Sequence, residues 1–472
     1  MARVAVSPSD PAASSATART GWLVLGALAV AAVVQVADHD SPWVLRVGEQ
    51  ILRDGRLPEL DPFSYTAGHP WLNHEWLAQV VWAVAHRLGG MLGVGLLQAL
   101  CVAATVGLVA LALPARERFS GLAPLAYAVL GLYLRDAASP RAQLLSNVCL
   151  AGVLALVARD LRRPSRALWL AVPIQLVWTQ LHGGNPTGVA LLGLGLLAAP
   201  SRRRALVVGV AAALTCAGPY GIHVHDHFLD AQGTLPILRE WQPLFGALVA
   251  GAGGPVAFVC AFSAALIALG VRGRAGERIR FEALALACFG LLAVRWLRFA
   301  TEGMLMATLA IAAGLSRVRL PGTPGRRMLP ALAAILVLVV GVLGPGRRMG
   351  VGFDAAFYPV EATRKLRARA PAGHLFNSYN FGGWVMWAWE GQPVFVDGRA
   401  FTVYTPAHLE GLLAVYADPP RFRDLDARWG FGSALVQARG KSAGLARWLA
   451  EQPEWELVHR DALAVALVKR SR

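Results

Sequence analysis

The chain has 472 residues, of which 56% are hydrophobic and only 16% charged, with a net charge of +16. Soluble domains carry about 25% charged residues, and the apolar residues here fall in long uncharged runs, so an ordinary soluble enzyme is excluded. The positive charge does not mark a nucleic-acid binder either, because the arginines sit in short clusters between apolar runs, as in the cytoplasmic loops of membrane proteins.

Residues 1–19 are rich in Ser and Ala and read as a disordered cytoplasmic N-terminus. Apolar runs follow at 20–37, 91–113, 184–199, 250–271, 303–316 and 329–345, on the scale of the roughly 20 residues that a helix needs to cross a bilayer. The first run is long for the core of a signal peptide and leads straight into a polar motif, so it reads as a span. Basic clusters at Arg116/Arg118, Arg159–Arg166, Arg202–Arg204, Arg272–Arg280 and Arg317–Arg327 are assigned to the cytoplasm. The connections at 38–90, 135–141, His182, 219–249, 295–299 and everything after about 346 then fall outside. This alternation closes only if Trp76–Gly90, which carries Gln79, His86 and Arg87, lies along the interface instead of crossing it. The count is about eleven spans, with an inside N-terminus and an outside C-terminus. The five cysteines lie in apolar runs without metal-like spacing and imply no disulfide framework. Lysine occurs only at 365, 441 and 469; with abundant Ala, Gly, Leu and Arg, this composition points to a GC-rich bacterial source.

The outer connections collect the unusual polar residues, which is expected of an enzyme or transporter site. Asp38-His39-Asp40 directly follows the first span. Its carboxylates are suited to accepting a proton or holding a divalent cation, although three solvated residues at a helix exit give the same pattern. Apolar Trp43, Val44, Val47, Ile51 and Leu52 then recur at helical spacing, predicting an interfacial helix that Asp54-Gly55 ends. Arg141, Arg295 and Arg298 suit a phosphate through their forked donors, or snorkel at helix ends. His182, before two glycines, is suited to a phosphate or a sugar hydroxyl, or is a packed histidine. His223, His225 and His227 alternate beside Asp226, a spacing that suits a metal site on a strand or a solvated loop. No glycine-rich nucleotide loop is evident.

This layout resembles the GT-C superfamily of polyprenyl-phosphate-sugar-dependent membrane glycosyltransferases, whose members carry an acidic motif just after the first span, then interfacial helices. Asp38 matches the catalytic position of that family best, with Asp40 second, and His39 stands where an acid is usual. The stretches GEQILRDGRLPELDPFSY, WLNHEWL, WTQLHGG, REWQP, NSYNFGGWVMW and VFVDGRA resemble a group of bacterial glycosyltransferase-like membrane proteins over most of the chain. The segment 377–387 loosely resembles an outer-domain motif of oligosaccharyltransferases but lacks its acid, Asn380 being nearest.

The expected architecture is therefore an α-helical polytopic membrane protein: residues 20–345 as the transmembrane part with its outer loop 38–90, and 346–472 as an extracytoplasmic α/β domain. Within that domain, helices are expected at 359–369, 407–417 and 442–451, and extended segments at 374–376, 393–396, 433–436 and 463–468. Asp397-Gly398-Arg399 reads as a turn holding either an internal ion pair or a ligand. The resemblance implies inverting transfer of a sugar from a polyprenyl-phosphate donor to a cell-envelope glycan, lipid or protein, at the outer face of a bacterial inner membrane. Asp38 or Asp40 would serve as base, with His39, His74, Glu75, Arg141, His182, Arg295 and Arg298 binding donor or acceptor. No resident metal is assigned, though a divalent ion is compatible with the acidic pair. The rival readings are a non-catalytic assembly protein and a secondary transporter, which would show ionisable residues at span centres and internal repeats.

Overall fold

The structure, a computed structural model, describes residues 22–225, 241–249, 253–272, 276–318, 323–344 and 346–470. Its first part is helical: α1 (Trp22–Ala31), α2 (Ser41–Asp54), α3 (Trp76–Leu111), α4 (Ala123–Ala137), α5 (Ala142–Arg162), α6 (Ala171–Leu181), α7 (Pro186–Ala198), α8 (Arg202–Leu214), α9 (Leu244–Val249), α10 (Gly253–Arg272), α11 (Gly276–Arg295), α12 (Ala300–Leu315) and α13 (Thr323–Leu343). By length and composition, α3 and α5 are long and apolar enough to cross a membrane; Trp22–Ala31, Pro186–Ala198, Val256–Gly270 and Leu329–Leu343 are shorter apolar helices.

α3 is two helices. Gly89 and Gly90 leave the helical region, Gly90 at φ +56°, a conformation that glycine adopts without a Cβ clash. The half before the break lies on α2, where His86 Nδ1 sits 3.0 Å from Glu49 Oε1. The half after it is apolar, and Leu92, Leu96 and Leu100 form an exposed stripe at intervals of four. Leu332, Ile335, Leu336, Val339, Val342 and Leu343 do the same on α13. Each such side chain forgoes about 1.5–3 kcal/mol if it faces water, so these stripes are surfaces suited to lipid or to a protein partner.

The helices sort their charges to their two ends. α5 is 21 residues long, or about 30 Å at 1.5 Å per residue, with Arg141 before it and Arg162 at its close. At the Arg162 end, Asp160 holds Arg203 and Arg204 at 2.6 and 2.8 Å. Arg278 pairs with Glu282 and reaches Glu117, and Arg162 donates to the carbonyl of Ala112. At this end Arg203 and Arg204 thus meet a buried acid from a neighbouring helix. The opposite end gathers Asp38, Glu75, Arg141, His182 and Tyr220.

The C-terminal part is a four-stranded sheet of order β1-β2-β4-β3: β1 (His374–Asn377), β2 (Phe431–Gln437), β3 (Trp455–Arg460) and β4 (Ala464–Lys469). β1 pairs parallel to β2, with Leu375 opposite Ser433, and the other pairs are antiparallel. Helices α14 (Val360–Ala368), α15 (Gly382–Ala388), α16 (Pro406–Ala417), α17 (Phe422–Trp429) and α18 (Ala443–Glu451) surround it. Phe376, Phe422 and Phe431 meet at ring distances of 5.0–5.3 Å to form its core. Residues 393–396, expected to be extended, make only an isolated bridge, from Val394 to Ser64. β3, α15 and α17 were not anticipated, their hydrophobic runs being too short to show a period.

The outer loop after α1 is built into this sheet unit. Tyr65 donates to the carbonyl of Leu375 at 2.8 Å, Thr66 to that of Phe395 at 2.6 Å, and the Gly68 amide to that of Val403 at 3.0 Å. Arg399 anchors the join, donating at 2.5 and 3.0 Å to Asp61 and at 2.8 and 2.6 Å to Asp397. Trp71 and Phe63 flank its guanidinium, and Tyr404 donates to Asp397 at 2.8 Å. Asp397-Gly398-Arg399 therefore holds an internal ion network.

Candidate active site

Asp38 lies at the N-terminus of α2. Its Oδ1 accepts from the amides of Asp40 and Ser41 at 3.1 and 2.9 Å and from the Ser41 hydroxyl at 2.9 Å. The helix end thus binds a carboxylate with its free amides and favourable dipole. Tyr358 grips the same residue from the C-terminal part, donating to its carbonyl at 2.6 Å. Burial raises the Asp38 carboxyl, but Arg141, Arg347 and the Ser41 donors together bring it below the usual aspartate value, so it is ionised at neutral pH.

Arg141 joins the two acids. Its Nη2 is 2.6 Å from Asp40 Oδ2 and its Nη1 3.4 Å from Asp38 Oδ2. The Trp82 indole donates to the Arg141 carbonyl at 3.2 Å, fixing the turn between α4 and α5. Trp43 donates to Asp40 Oδ1 at 3.1 Å. The C-terminal part closes the far side: a Cβ placed on Gly398 would sit 1.8 Å from Asp40 Oδ1, and one on Gly383 2.5 Å from the His39 carbonyl. These glycines of the DGR and FGG stretches are there because a side chain would push the acidic motif away.

A second cluster adjoins the first. Glu75 Oε1 is 3.5 Å from His74 Nε2 and 3.7 Å from His182 Nε2. Burial raises Glu75, but His74, His182 and Arg141 bring it down to about 2. Burial holds His182 neutral, down to about 3, against the pull of Glu75. Asn73 and Gln79 exchange two amide hydrogen bonds at 2.7 and 2.8 Å, and the Asn73 amide donates to the Tyr220 hydroxyl at 3.1 Å, setting the turn that presents His74 and Glu75.

The overall arrangement of the chain has counterparts of known structure. Archaeoglobus fulgidus oligosaccharyltransferase AglB, solved with an inhibitory peptide and a dolichol-phosphate, superposes with a TM-score of 0.60 at 12% identity, covering 90% of this chain and 70% of that one. ArnT from Cupriavidus metallidurans gives 0.57 at 14% identity, covering 95% and 98%. Arabinofuranosyltransferase AftD from mycobacteria gives 0.56 at 14%, covering 99% of this chain and 40% of that one. The chain has the fold of the GT-C glycosyltransferases. No protein-family model matches its sequence, and no curated protein does.

Within this GT-C fold, the sequence-derived candidates separate. Asp38, Asp40 and Arg141 are in direct contact, and His74, Glu75 and His182 form the adjoining group. Arg298 lies 4.4 Å over the Trp241 ring and influences His182 electrostatically. Arg295 sits over Trp296 at 5.0 Å. The His39 ring lies on Phe357 at 4.4 Å, with Asp38 and Asp40 on either side of it in the chain. His223 and His225 occupy a helical turn, not a strand; His227 lies outside the described residues. Arg347, Tyr358, Ser41 and Ser146 were not anticipated. Arg347 is an arginine among many in the sequence, and only the fold brings it to Asp38.

A divalent ion does not fit this donor set well. The two aspartates share a guanidinium between them, and among the described residues no group of three His, Cys, Asp or Glu side chains could hold a metal. No step below uses one.

Proposed function

We propose that this protein transfers a sugar from a polyprenyl-phosphate-linked donor to an acceptor hydroxyl on the extracytoplasmic side of a bacterial inner membrane. The observation that carries the reading is the Asp38–Arg141–Asp40 bridge: two fixed carboxylates share one guanidinium at the end of the helices where the polar motifs meet. The GT-C fold, shared with proteins named as an oligosaccharyltransferase and an arabinofuranosyltransferase, the first solved with a dolichol-phosphate, supports the same reaction class. In this reading the N-terminus is cytoplasmic, and residues 346–472 stand outside with the loop they enclose.

The chemistry follows from the charges. The donor brings a phosphate that Arg141, with Arg298 near, attracts through charge-assisted hydrogen bonds. As Arg141 turns to the phosphate, the aspartate pair loses counter-charge and becomes more basic. The acceptor oxygen attacks the anomeric carbon from the face opposite the phosphate. Its bond to carbon forms as the carbon–phosphate oxygen bond breaks, its proton passes to Asp38 or Asp40, and the configuration inverts. The leaving lipid phosphate is a stable anion, so no general acid is needed, and the arginines stabilise its charge.

The test is transfer of radiolabelled sugar from a panel of polyprenyl-phosphate donors by the purified full chain, with and without the Asp38→Asn/Asp40→Asn double change. Transfer that disappears in the double variant supports the reading. Transfer by neither protein, with the variant still complementing a deletion, overturns it in favour of an assembly or transport role.

A further inference from the structure

Trp178, Ser146, His182 and Glu75 form a line of contacts that the transfer mechanism above does not use. The Trp178 indole can only donate, so in its 2.6 Å contact the Ser146 hydroxyl is the acceptor. Ser146 Oγ lies 3.0 Å from His182 Nδ1. If the ring also donated to Ser146, the buried hydroxyl proton would have no acceptor among the described contacts, which is costly in a dry interior. The satisfied arrangement has Ser146 donating to Nδ1, and an imidazole that accepts at Nδ1 carries its proton on Nε2. That N–H faces Glu75. The fit is tight: a Cβ on Gly184 would fall 2.7 Å from His182 Nδ1, which accounts for the glycine at 184.

The gap between His182 Nε2 and Glu75 Oε1 is 3.7 Å, longer than a hydrogen bond. That distance is too short to seat an oxygen in line, so a hydroxyl would bridge the pair by drawing the two atoms about 1 Å further apart, receiving the imidazole N–H and giving its own proton to the carboxylate. A phosphate is disfavoured there because the carboxylate repels it, whereas a hydroxyl matches both partners. His74 Nε2, 3.5 Å from the same oxygen, offers a neighbouring contact. We infer that Glu75 and His182 form a specificity-determining pair that reads one hydroxyl of the transferred sugar, with Ser146 and Trp178 as positioning residues that fix which imidazole nitrogen presents its proton. The inference rests on the glycosyl-transfer reading for the nature of the molecule that carries the hydroxyl. It divides the site: the Arg141 end takes the phosphate and the Glu75 end takes the sugar.

The experiment is saturation-transfer NMR of the full chain in detergent with methyl glycosides of common hexoses, pentoses and N-acetylhexosamines and their monodeoxy analogues. At least one glycoside should bind, and one of its deoxy analogues should bind about tenfold more weakly or worse, since a site built around a hydroxyl rejects its absence. The gap should close to within about twofold in Ser146→Ala and Glu75→Gln and persist in Ser146→Thr, because each removes or keeps a hydrogen-bond partner of the relay. Histidine-selective ¹⁵N solid-state NMR of the unaltered chain, assigned with His182→Asn, should show His182 neutral and protonated on Nε2. A deoxy series that binds evenly, a gap that survives Ser146→Ala, no glycoside binding at all, or His182 protonated on Nδ1 would each overturn the inference. Glycoside binding with this pattern but no transfer would sink the transfer reading and leave the pair standing; transfer without the pattern would do the reverse.

Discussion

Two arginines in this chain each hold two aspartates, and the contrast between them separates framework from site. Arg399 grips Asp61 and Asp397 with a side chain 1% exposed, between the rings of Trp71 and Phe63. Arg141 spans Asp38 and Asp40 with a side chain 38% exposed. The first set is closed: its charges face one another and aromatic rings, and a ligand would have to dismantle the join between loop and sheet unit to reach them. The second is open to solvent on one side, so a phosphate can compete for its guanidinium. Similar residue types at similar distances thus differ in role because of what covers them. A buried ion network is a costly way to gain stability but a very costly thing to break.

That contrast can be broken by experiment. The largest effect is expected from Asp38→Asn/Asp40→Asn, which should lower sugar transfer by about 10²–10⁴-fold, the usual worth of a positioned general base, while the thermal transition in detergent stays near that of the unaltered chain. Arg399→Ala should do the opposite, costing about 3–5 kcal/mol of stability by leaving two buried carboxylates without their partner; an unchanged melting temperature would contradict its framework role. Gly398→Ala tests the contact between the two regions. Its new Cβ would displace Asp40, so transfer should fall at least about tenfold with a smaller stability loss than Arg399→Ala, because overpacking typically costs about 1–3 kcal/mol.

The smallest effect concerns pH. His182 stays neutral in the folded chain down to about 3, while the unfolded residue takes a proton near its ordinary value of about 6.5. Its folded value is depressed, so the stability it allows is present above about pH 6.5 and is lost as pH falls toward 3. Between pH 7 and 5 the unaltered chain should lose about 2 kcal/mol more than His182→Gln, at roughly 1.4 kcal/mol per proton and pH unit. Glu75 gives a separate window: its folded value of about 2 removes stability only below the ordinary glutamate range. Parallel melting curves of the two proteins across this range would show whether the extra acid sensitivity exists.

Much of this was legible in the order of residues. Long uncharged runs separated by arginine clusters announced apolar helices, because a bilayer admits neither unpaired backbone nor casual charge. Segment 76–90 was expected from its polar residues to be set apart from the apolar run that follows, and Gly89-Gly90 breaks the helix just there. Asp38-His39-Asp40 was visible because carboxylates immediately after an apolar run are conspicuous. Other features left no local trace. Ser146 and Trp178 look like ordinary residues on two helices until packing sets one against the other. Asp61 and Arg399 are 338 positions apart, and nothing near either one names its partner. Sequence periodicity and charge bias act over one turn or one loop, so they determined which segments are apolar helices and where the polar motifs interrupt them. Burial and pairing depend on neighbours distant in the chain, so only the tertiary structure decided that the DGR turn is a closed anchor, that Arg141 is the open bridge, and that His182 is turned toward Glu75.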